Sequence, residues 1–440
     1  MIMKKEKLFN KTFTRSVAIV QILGFGMSYL FLCLLASYHG AEGIGVYGIA
    51  FSLLSVLGTL ALLGTKEFII NDEKASEVEE RNIIFSIFSQ ALFYIIPAGA
   101  VISIGMIVLN TNLLSYFGEN SIMKYLFIII ALALPFYIFV QLSAIFFQAI
   151  KKLYLAEFFN SMGIHIFNMM ALFYMMNYSN ERGLKDLLDI FMYSFGSLAL
   201  LSFVLVMYER YHLSLHKISL EKLPDNVLQI SFSLMVSTFG ISLLSGHLDI
   251  LMLAVYQPLH EIGYYVVALA IASSSQVALS IANHLVAPKV MTYYHENHFH
   301  PMKALIQDMG KVLFIVSVVI LAVILVFPKE ILGFFGEAFN KDIVILTLFI
   351  LAISQFISTI SGSVVSMMNM TDHQKNLRRV IVIAVILKIV LNMFLIPIFG
   401  ILGAAVGTLV VTIFWRFTLV FLVKKKFGVL TVFSPISMGF

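Results

Sequence analysis

The chain has 440 residues, of which 60% are hydrophobic and only 12% are charged, whereas a soluble domain has about 25% charged residues. Its mean hydropathy is +0.96, and its single cysteine cannot form an internal disulfide. These values argue against soluble enzymes, disordered proteins and secreted disulfide scaffolds. The net charge of +5 is typical of a membrane protein with basic cytoplasmic loops, so we predict no nucleic-acid partner.

Twelve apolar runs are long enough to cross a bilayer, for which a helix needs about 20 residues. Backbone groups in lipid must be bonded within the chain, so each run is predicted to be a helix. The first follows a basic stretch and is predicted to be an uncleaved span with a cytoplasmic N-terminus. The predicted spans are 16–38, 45–64, 83–109, 124–149, 154–176, 187–208, 228–254, 262–286, 311–328, 343–369, 380–398 and 400–423.

The distribution of Lys and Arg residues predicts the orientation of these spans. With the N-terminus in the cytoplasm, 22 of the 29 basic residues fall in cytoplasmic segments and five in outer segments. Such a bias follows the positive-inside rule. We therefore expect an all-α integral membrane protein with 12 transmembrane helices and both termini cytoplasmic.

A polar cytoplasmic connection and a short internal repeat predict two halves. The connection divides the chain into an N-lobe (1–210, helices 1–6), a linker (211–227) and a C-lobe (228–440, helices 7–12). Ile-Gly-Val-Tyr at 44–47 and Ile-Gly-Tyr-Tyr at 262–265 each open the second span of a half. We therefore expect two six-helix lobes around a central cavity, since parallel repeats commonly place the substrate path between them.

Two cations lie inside predicted spans. Lys388 in span 11 and Arg416 in span 12 are each eight residues from the predicted inner boundary, about 12 Å along a helix. Two cations at one depth repel each other unless an anion lies near, and a pyrophosphate or an acidic sugar would serve. We predict that both bind substrate; the alternatives are pairing with a protein carboxylate and snorkelling to the inner interface.

Other polar residues within spans are candidates for ion coupling. Glu157 and His165 lie on one face of span 5, where a polar stripe lines a cavity or joins helices. His165 is a candidate proton carrier, with a hydrogen-bonded structural histidine as the alternative. Asp249, near the outer end of span 7, is either an interface residue or an ion site.

Glutamines in spans 8 and 10 are the remaining candidates for substrate binding. Gln276 and Gln355 belong to stripes of small and hydroxyl residues. Such stripes either line a wet lumen or pack helices together. We include both glutamines among the predicted substrate-binding residues.

Sequence motifs for catalysis or cofactors are absent. The chain has no Gly-x-x-x-x-Gly-Lys-[Ser/Thr] phosphate loop, no His-Glu-x-x-His and no Gly-x-Ser-x-Gly elbow. The predicted outer loops are short. We therefore predict a transporter that is not an enzyme, with no cofactor and no metal site, driven by an ion gradient.

Three stretches carry a resemblance to a known family. They are Gly40-Ala-Glu-Gly-Ile-Gly-Val-Tyr-Gly with the helix that ends Leu63-Gly64, the segment from Ser231 through Leu248-Asp249 to Ala287-Pro288, and Phe399-Gly400-Ile-Leu-Gly403-Ala-Ala-Val-Gly. Together they resemble the polysaccharide repeat-unit (O-antigen) flippases of the multidrug/oligosaccharidyl-lipid/polysaccharide exporter superfamily. Where that family usually has an Arg at the inner end of span 2, this chain has Lys66-Glu67.

The resemblance implies a function and a location. Such a protein moves an undecaprenyl-pyrophosphate-linked oligosaccharide from the inner to the outer leaflet of the bacterial plasma membrane by alternating access. Its implied partners are the lipid-linked oligosaccharide, membrane lipids, H⁺ or Na⁺, and polysaccharide polymerase or ligase machinery. A cation-coupled multidrug exporter of the same superfamily is the alternative, and a polysaccharide polymerase or ligase is a weaker one.

Overall fold

The computed structural model describes residues 2–62, 78–117, 121–178, 183–212, 227–296, 298–371, 373–428 and 431. Every regular element in these ranges is a helix. By contacts the chain divides into two compact units, Met1–Ser242 and Leu243–Phe440.

The first unit is built around its third helix. α3 packs against α1, α2 and α6. Leucines and isoleucines at four-residue spacing, including Leu126, Ile130, Leu134 and Ile138, are completely buried along it. The helices of this unit are α1 (Ile2–Ala61), α2 (Val78–Phe117), α3 (Ser121–Ala149), α4 (Leu153–Glu157), a π-helical turn (Phe158–Met162), α5 (Gly163–Tyr178), α6 (Leu184–His212) and α7 (Val227–Ser242).

The second unit is organised by its last and longest helix. α15 packs against α8, α13 and α14, while α9 and α11 also pack on α13. The elements are a π-helical turn (Leu243–His247), α8 (Leu248–Tyr256), α9 (Leu259–Ala272), α10 (Ser274–His295), α11 (Phe299–Val326), α12 (Pro328–Gly333), a 3₁₀ turn (Glu337–Phe339), α13 (Asp342–Ile360), α14 (Val364–Met370) and α15 (Gln374–Phe427).

The described helices follow the predicted spans, but some helices cover two predicted spans and some predicted spans contain a break. By length and apolar composition, eight described helices are able to cross a membrane, or nine if the bent pair α9 and α10 counts as one span. All-helical membrane architecture is therefore confirmed, whereas the number twelve and the cytoplasmic termini stay predictions. The predicted linker falls largely on 213–226, outside the described residues, and α7, which follows it, packs against α1.

Two glycines bend the longest helices where sequence predicts a turn between spans. Gly40 in α1 has φ 65° and Gly400 in α15 has φ 58°. Positive φ is accessible to glycine at little cost because glycine lacks a β-carbon. Gly40 separates predicted spans 1 and 2, and Gly400 separates spans 11 and 12. Each long helix is therefore two helical arms joined at a glycine.

Two π-helical turns interrupt predicted spans internally. Phe158–Met162 lies within predicted span 5 and Leu243–His247 within predicted span 7. In the second turn Gly246 has φ 111°, so the backbone there departs from helical geometry. Such breaks redirect backbone carbonyls and are frequent at functional sites.

The bend at Gly400 predicts the outcome of one substitution. A β-carbon on Gly403 would collide with the backbone carbonyl of Leu395 on the opposite arm. Because backbone cannot yield as a side chain can, we expect Gly403→Ala to lower the free energy of unfolding by about 1–3 kcal/mol. The measurement is the thermal midpoint of the purified protein in detergent.

Gly26→Ala is the matched control. No atom lies within 4 Å of the position of its β-carbon, so its midpoint should be unchanged or slightly higher, as expected for glycine to alanine in a helix. A Gly403→Ala midpoint equal to that of the wild type would contradict the close approach of the two arms.

Candidate functional site

The Asp249 carboxylate is completely buried and bound by four side chains. Its Oδ2 lies 2.9 Å from Lys388 Nζ and accepts hydrogen bonds from the hydroxyls of Tyr265 (2.8 Å) and Thr408 (2.7 Å). Its Oδ1 accepts from the Asn392 amide at 2.8 Å. We call these five residues the Asp249 cluster. All belong to the second unit, so one unit by itself holds this charge.

The hairpin at Gly400 assembles most of the cluster. Lys388 and Asn392 are one turn apart on the first arm of α15, so they share a face. Thr408 lies on the second arm, which returns beside the first. The arms approach so closely that a β-carbon on Gly407 would meet the Asn392 amide oxygen. Glycine at this position therefore permits the contact with Asp249 from both arms.

Lys388 is 1% exposed and has two partners. Besides Asp249, its ammonium donates to the Leu244 carbonyl at 3.3 Å. Leu244 belongs to the π-helical turn that contains Gly246, where the backbone leaves helical geometry. Lys388 and Asp249 were predicted for different roles, and the structure places them in one ion pair. Lys388 thus adopts the alternative foreseen for it, pairing with a protein carboxylate.

Arg416 lies on the second arm of α15 and does not join the Asp249 cluster. Its side chain is 9% exposed, and its guanidinium carbon lies 4.1 Å from the ring centroid of the adjacent Trp415. Its Nε is buried and has no hydrogen-bond partner in the part of the chain that the structure describes. Among the described residues, no carboxylate forms an ion pair with it. The two predicted cations therefore have different surroundings: Lys388 forms an ion pair with Asp249, and Arg416 lies against the ring of Trp415.

The two predicted glutamines are brought together. The amide of Gln276 on α10 donates to the side-chain oxygen of Gln355 on α13 at 2.8 Å and lies 3.4 Å from the Thr359 hydroxyl. Thr359 in turn donates to Ser275 at 3.2 Å. Both glutamines are half-buried. Their amides therefore join two helices and remain partly accessible.

The candidates of the first unit form contacts between helices. Glu157 is buried and accepts a hydrogen bond from the Gln21 amide at 3.0 Å. The Asn168 amide lies 3.4 Å from the Tyr47 hydroxyl. His165 stands between these two contacts along the same face, and its Nδ1 is buried without a hydrogen bond to the described residues. The polar stripe of predicted span 5 thus joins α1 at both ends.

Three members of the Asp249 cluster were missed from the sequence. Asn392 carries a usable signal, because it is four residues from Lys388 on a predicted helix. Tyr265 is the last residue of the repeated motif, and its counterpart Tyr47 is also buried with its hydroxyl beside a polar side chain. Thr408 has no sequence signal that separates it from other hydroxyl residues in spans.

Removing one charge of the Asp249–Lys388 pair should destabilise the protein. Asp249→Asn leaves a buried ammonium without its counter-charge, which costs about 3–5 kcal/mol. Lys388→Met leaves the carboxylate with its three neutral donors and should also lower the thermal midpoint. In the double variant neither charge remains, so its loss should be clearly smaller than the sum of the two single losses.

Asp308→Asn is the matched control. Asp308 forms an exposed ion pair with Lys311 at 3.3 Å, and exposed pairs contribute about 0–1 kcal/mol. Its midpoint should stay close to that of the wild type. Losses in the double variant that equal the sum of the single losses would show that the pair is not energetically coupled.

Comparisons with known proteins give a family from one search and a fold from another. The family described as polysaccharide biosynthesis protein matches residues 14–290. A search of curated proteins found no significant match.

Within the described residues, no group of three or more His, Cys, Asp or Glu side chains is placed to hold a metal ion.

Solved structures resemble the chain over nearly its whole length. An inward-facing multidrug resistance MATE family transporter of the MOP superfamily has a TM-score of 0.68 at 12% identity, covering 93% of this chain and 98% of that one. The lipid II flippase MurJ, in an inward closed conformation, has a TM-score of 0.65 at 16% identity, with coverages of 95% and 89%. A MOP superfamily transporter from Pyrococcus furiosus has a TM-score of 0.62 at 11% identity, with coverages of 95% and 96%. At these identities the likeness shows the fold.

Proposed function

Because the chain belongs to the family of polysaccharide biosynthesis proteins, we propose that it is a flippase for a lipid-linked oligosaccharide. Its substrate is an undecaprenyl-pyrophosphate-linked repeat unit, moved from the inner to the outer leaflet of the bacterial plasma membrane for O-antigen or capsule synthesis. The observation that carries this proposal is the family match over residues 14–290, on a chain with the fold of MOP transporters. Polysaccharide polymerase and ligase are the proposed users of its product.

Twelve spans in two six-helix lobes with cytoplasmic termini are part of the proposal. The hairpins at Gly40 and Gly400 divide two of the eight long helices into two spans each. The bent pair α9 and α10 adds a span, and so does Leu153–Tyr178, which the π-helical turn interrupts. Counting these together gives twelve, and an even number places both termini on one side.

Polar groups of the second unit are the proposed substrate contacts. The half-buried amides of Gln276 and Gln355 suit sugar hydroxyls, because an amide both donates and accepts hydrogen bonds. Arg416 suits a phosphate, because guanidinium binds phosphate through two parallel hydrogen bonds. Lys388 is held by Asp249, so its contact with substrate requires that the ion pair open during alternating access.

An ion gradient of H⁺ or Na⁺ is the proposed energy source. Asp249 is the leading candidate for coupling, because protonation of its carboxylate or binding of another cation would release Lys388. His165, whose buried Nδ1 has no hydrogen bond to the described residues, and Glu157, which accepts a hydrogen bond from Gln21, are the candidates of the first unit. Each of these three side chains contacts a second helix or is buried beside one, so a change in its charge would act on the packing of two helices.

A multidrug exporter is the second candidate function. The likeness to the MATE transporter, at a TM-score of 0.68, is as strong as that to the lipid II flippase, at 0.65. Fold similarity therefore does not distinguish the two functions. The buried guanidinium of Arg416, which pairs with no carboxylate among the described residues, favours an anionic substrate over the cationic compounds expected of a drug exporter.

Deleting the gene in its host tests the proposal. Complete repeat units should accumulate on the lipid carrier in the inner leaflet while surface polymer is lost. The measurement is mass spectrometry of lipid-linked sugars combined with a leaflet-accessibility assay, and a plasmid copy of the gene should restore the polymer. Normal polymer together with new sensitivity to cationic dyes would instead assign the protein to drug export.

Replacing Gln276 tests the proposed sugar contact. Gln276→Leu removes the amide and should reduce surface polysaccharide by roughly two- to tenfold, the effect of losing a net hydrogen bond, with normal amounts of protein in the membrane. Gln307→Leu is the control, because Gln307 is exposed on α11 outside this cluster. Full polysaccharide with Gln276→Leu would remove this residue from the substrate path.

A further inference from the structure

Three helix ends of the second unit meet around the ring of Phe427, the last residue of α15. The centroid of this ring lies 5.3 Å from that of His373, which precedes α15, and 6.2 Å from that of Tyr294 near the end of α10. A β-carbon on the next residue, Gly428, would lie 3.5 Å from Lys303 Nζ on α11. The two ends of α15, the end of α10 and the beginning of α11 are therefore close together.

Basic residues surround this meeting point. Three lysines directly precede Phe427, while Lys375 and Arg379 lie one turn apart on one face of α15, just after His373. Both ends of α15 lie here because the bend at Gly400 returns the helix. We call the following residues the basic cluster: Lys303, Lys375, Arg379, Lys424, Lys425 and Lys426. Lys303 is half-buried and the other five are exposed, so the cluster is open to a ligand.

Acidic residues offset only part of this charge. Glu296 follows Tyr294 by two positions, and its carboxylate lies 3.1 Å from the ring of His298. Asp308 forms an ion pair with Lys311, which is outside the cluster. The sequence adds Asp372, which lies outside the described residues. The six cations of the cluster therefore exceed the acids beside them.

Helix stability accounts for one part of the basic cluster and not for the other. Cations are favourable at the C-terminus of a helix, so the three lysines before Phe427 suit the end of α15. Lys375 lies instead in the first turn of α15, where the helix dipole makes a cation unfavourable, and that turn contains no acidic residue. An anion bound beside Lys375 would offset this cost.

The basic cluster lies at the edge of surface that is suited to lipid. On the second arm of α15 the exposed side chains change from Phe421 to Lys424 within one turn. On the first arm the exposed Arg379 is followed by the exposed Val382 and Ile383. Exposed apolar side chains fit hydrocarbon, and basic side chains beside them fit the headgroup layer. A ligand of the cluster therefore has an anionic head and a hydrocarbon body.

These features select the ligand by its chemistry. Clusters of about four to eight Lys or Arg beside a transmembrane helix bind anionic lipids, and basic pockets between helices bind headgroups such as that of cardiolipin, which has two phosphates. The cations here come from α11 and from both ends of α15. A headgroup with two phosphates contacts more of these segments than a headgroup with one.

We propose that the basic cluster binds a lipid whose headgroup carries two phosphates, in the leaflet at this end of the molecule. Two kinds of lipid have this chemistry, cardiolipin and a polyprenyl diphosphate. Binding of cardiolipin does not depend on the proposed flippase function, whereas binding of the polyprenyl lipid rests on it. A binding experiment on the purified protein needs no transport, so its failure is distinguishable from failure of the proposed function.

Lipid retention by the full-length protein tests the proposal. The protein is stripped of lipid in detergent and then given cardiolipin, phosphatidylglycerol or phosphatidylcholine with the same acyl chains. In native mass spectrometry cardiolipin should bind about fivefold more tightly than phosphatidylglycerol, the effect of one further charge at a basic surface, and zwitterionic phosphatidylcholine should bind least. Added salt should weaken cardiolipin binding, because exposed charges are screened. These comparisons use the wild type alone.

Two exposed lysines locate the site. Lys375→Gln and Lys424→Gln each remove one cation, from opposite ends of α15, and each should weaken cardiolipin binding by about fivefold. The double variant should weaken it by about 25-fold if the two effects are additive. Because both side chains are exposed, the thermal midpoints without lipid should stay close to that of the wild type.

Lys289→Gln is the matched control. Lys289 is exposed on α10, five residues before Tyr294, so it lies on a different face of the helix from the residue that contacts Phe427. It removes the same charge at the same end of the unit and should bind cardiolipin within about twofold of the wild type, the effect of an exposed charge.

The remaining arms separate the sources and define the overturning results. Undecaprenyl diphosphate that displaces cardiolipin at lower concentration identifies the polyprenyl lipid as the occupant, and failure to displace identifies cardiolipin. Equal binding of cardiolipin and phosphatidylglycerol would overturn the proposal, and so would wild-type binding by the double variant. Equal losses in Lys289→Gln and Lys424→Gln would show a diffuse surface charge in place of a site, and stabilisation by inorganic pyrophosphate equal to that by cardiolipin would show that no lipid is required. Either result would overturn it as well.

Discussion

A backbone group inside hydrocarbon has no water to bond, so the chain itself must satisfy every N–H and carbonyl there. This constraint accounts for the helices that fill the described ranges. It also limits where a helix can break. Gly40 and Gly400 bend their helices between predicted spans. The π-helical turn at Leu243–His247 lies within a span, and there the Leu244 carbonyl is met by Lys388.

The same rule applies to charges, which are costly at membrane depth unless they are paired. Asp249 and Lys388 pair with each other, and three neutral donors complete the carboxylate. Those donors come from α9 and from both arms of α15, so one carboxylate connects three helical segments around α8. Arg416 is buried almost as deeply, but no carboxylate among the described residues pairs with it. The two intramembrane cations therefore differ in their surroundings, since Lys388 is paired with Asp249 and Arg416 lies against the Trp415 ring.

Much of the fold was predictable because apolar length is a direct requirement of the bilayer. The breaks within helices were harder to predict, since a glycine such as Gly246 within an apolar run is compatible with both a π-helical turn and a continuous helix. The site shows the same limit. Asp249 and Lys388 were both recognised as intramembrane charges, but their contact was not, because their depths were estimated for unbroken helices. Asn392 was not predicted, although its position one helical turn after Lys388 would have indicated it, whereas Thr408 depends on a hairpin that returns the chain.

The residues of the Asp249 cluster are synthesised at widely separated times. Asn392 follows Asp249 by 143 residues, so at about 5–20 residues per second the ribosome completes that interval in roughly 7–29 s. Tyr265, only 16 residues after the carboxylate, is the first of the four donors to be synthesised. During biogenesis the nascent second unit thus holds a carboxylate whose counter-charge has not yet been made. The tyrosine hydroxyl is its earliest partner, and the lysine arrives only with the final hairpin.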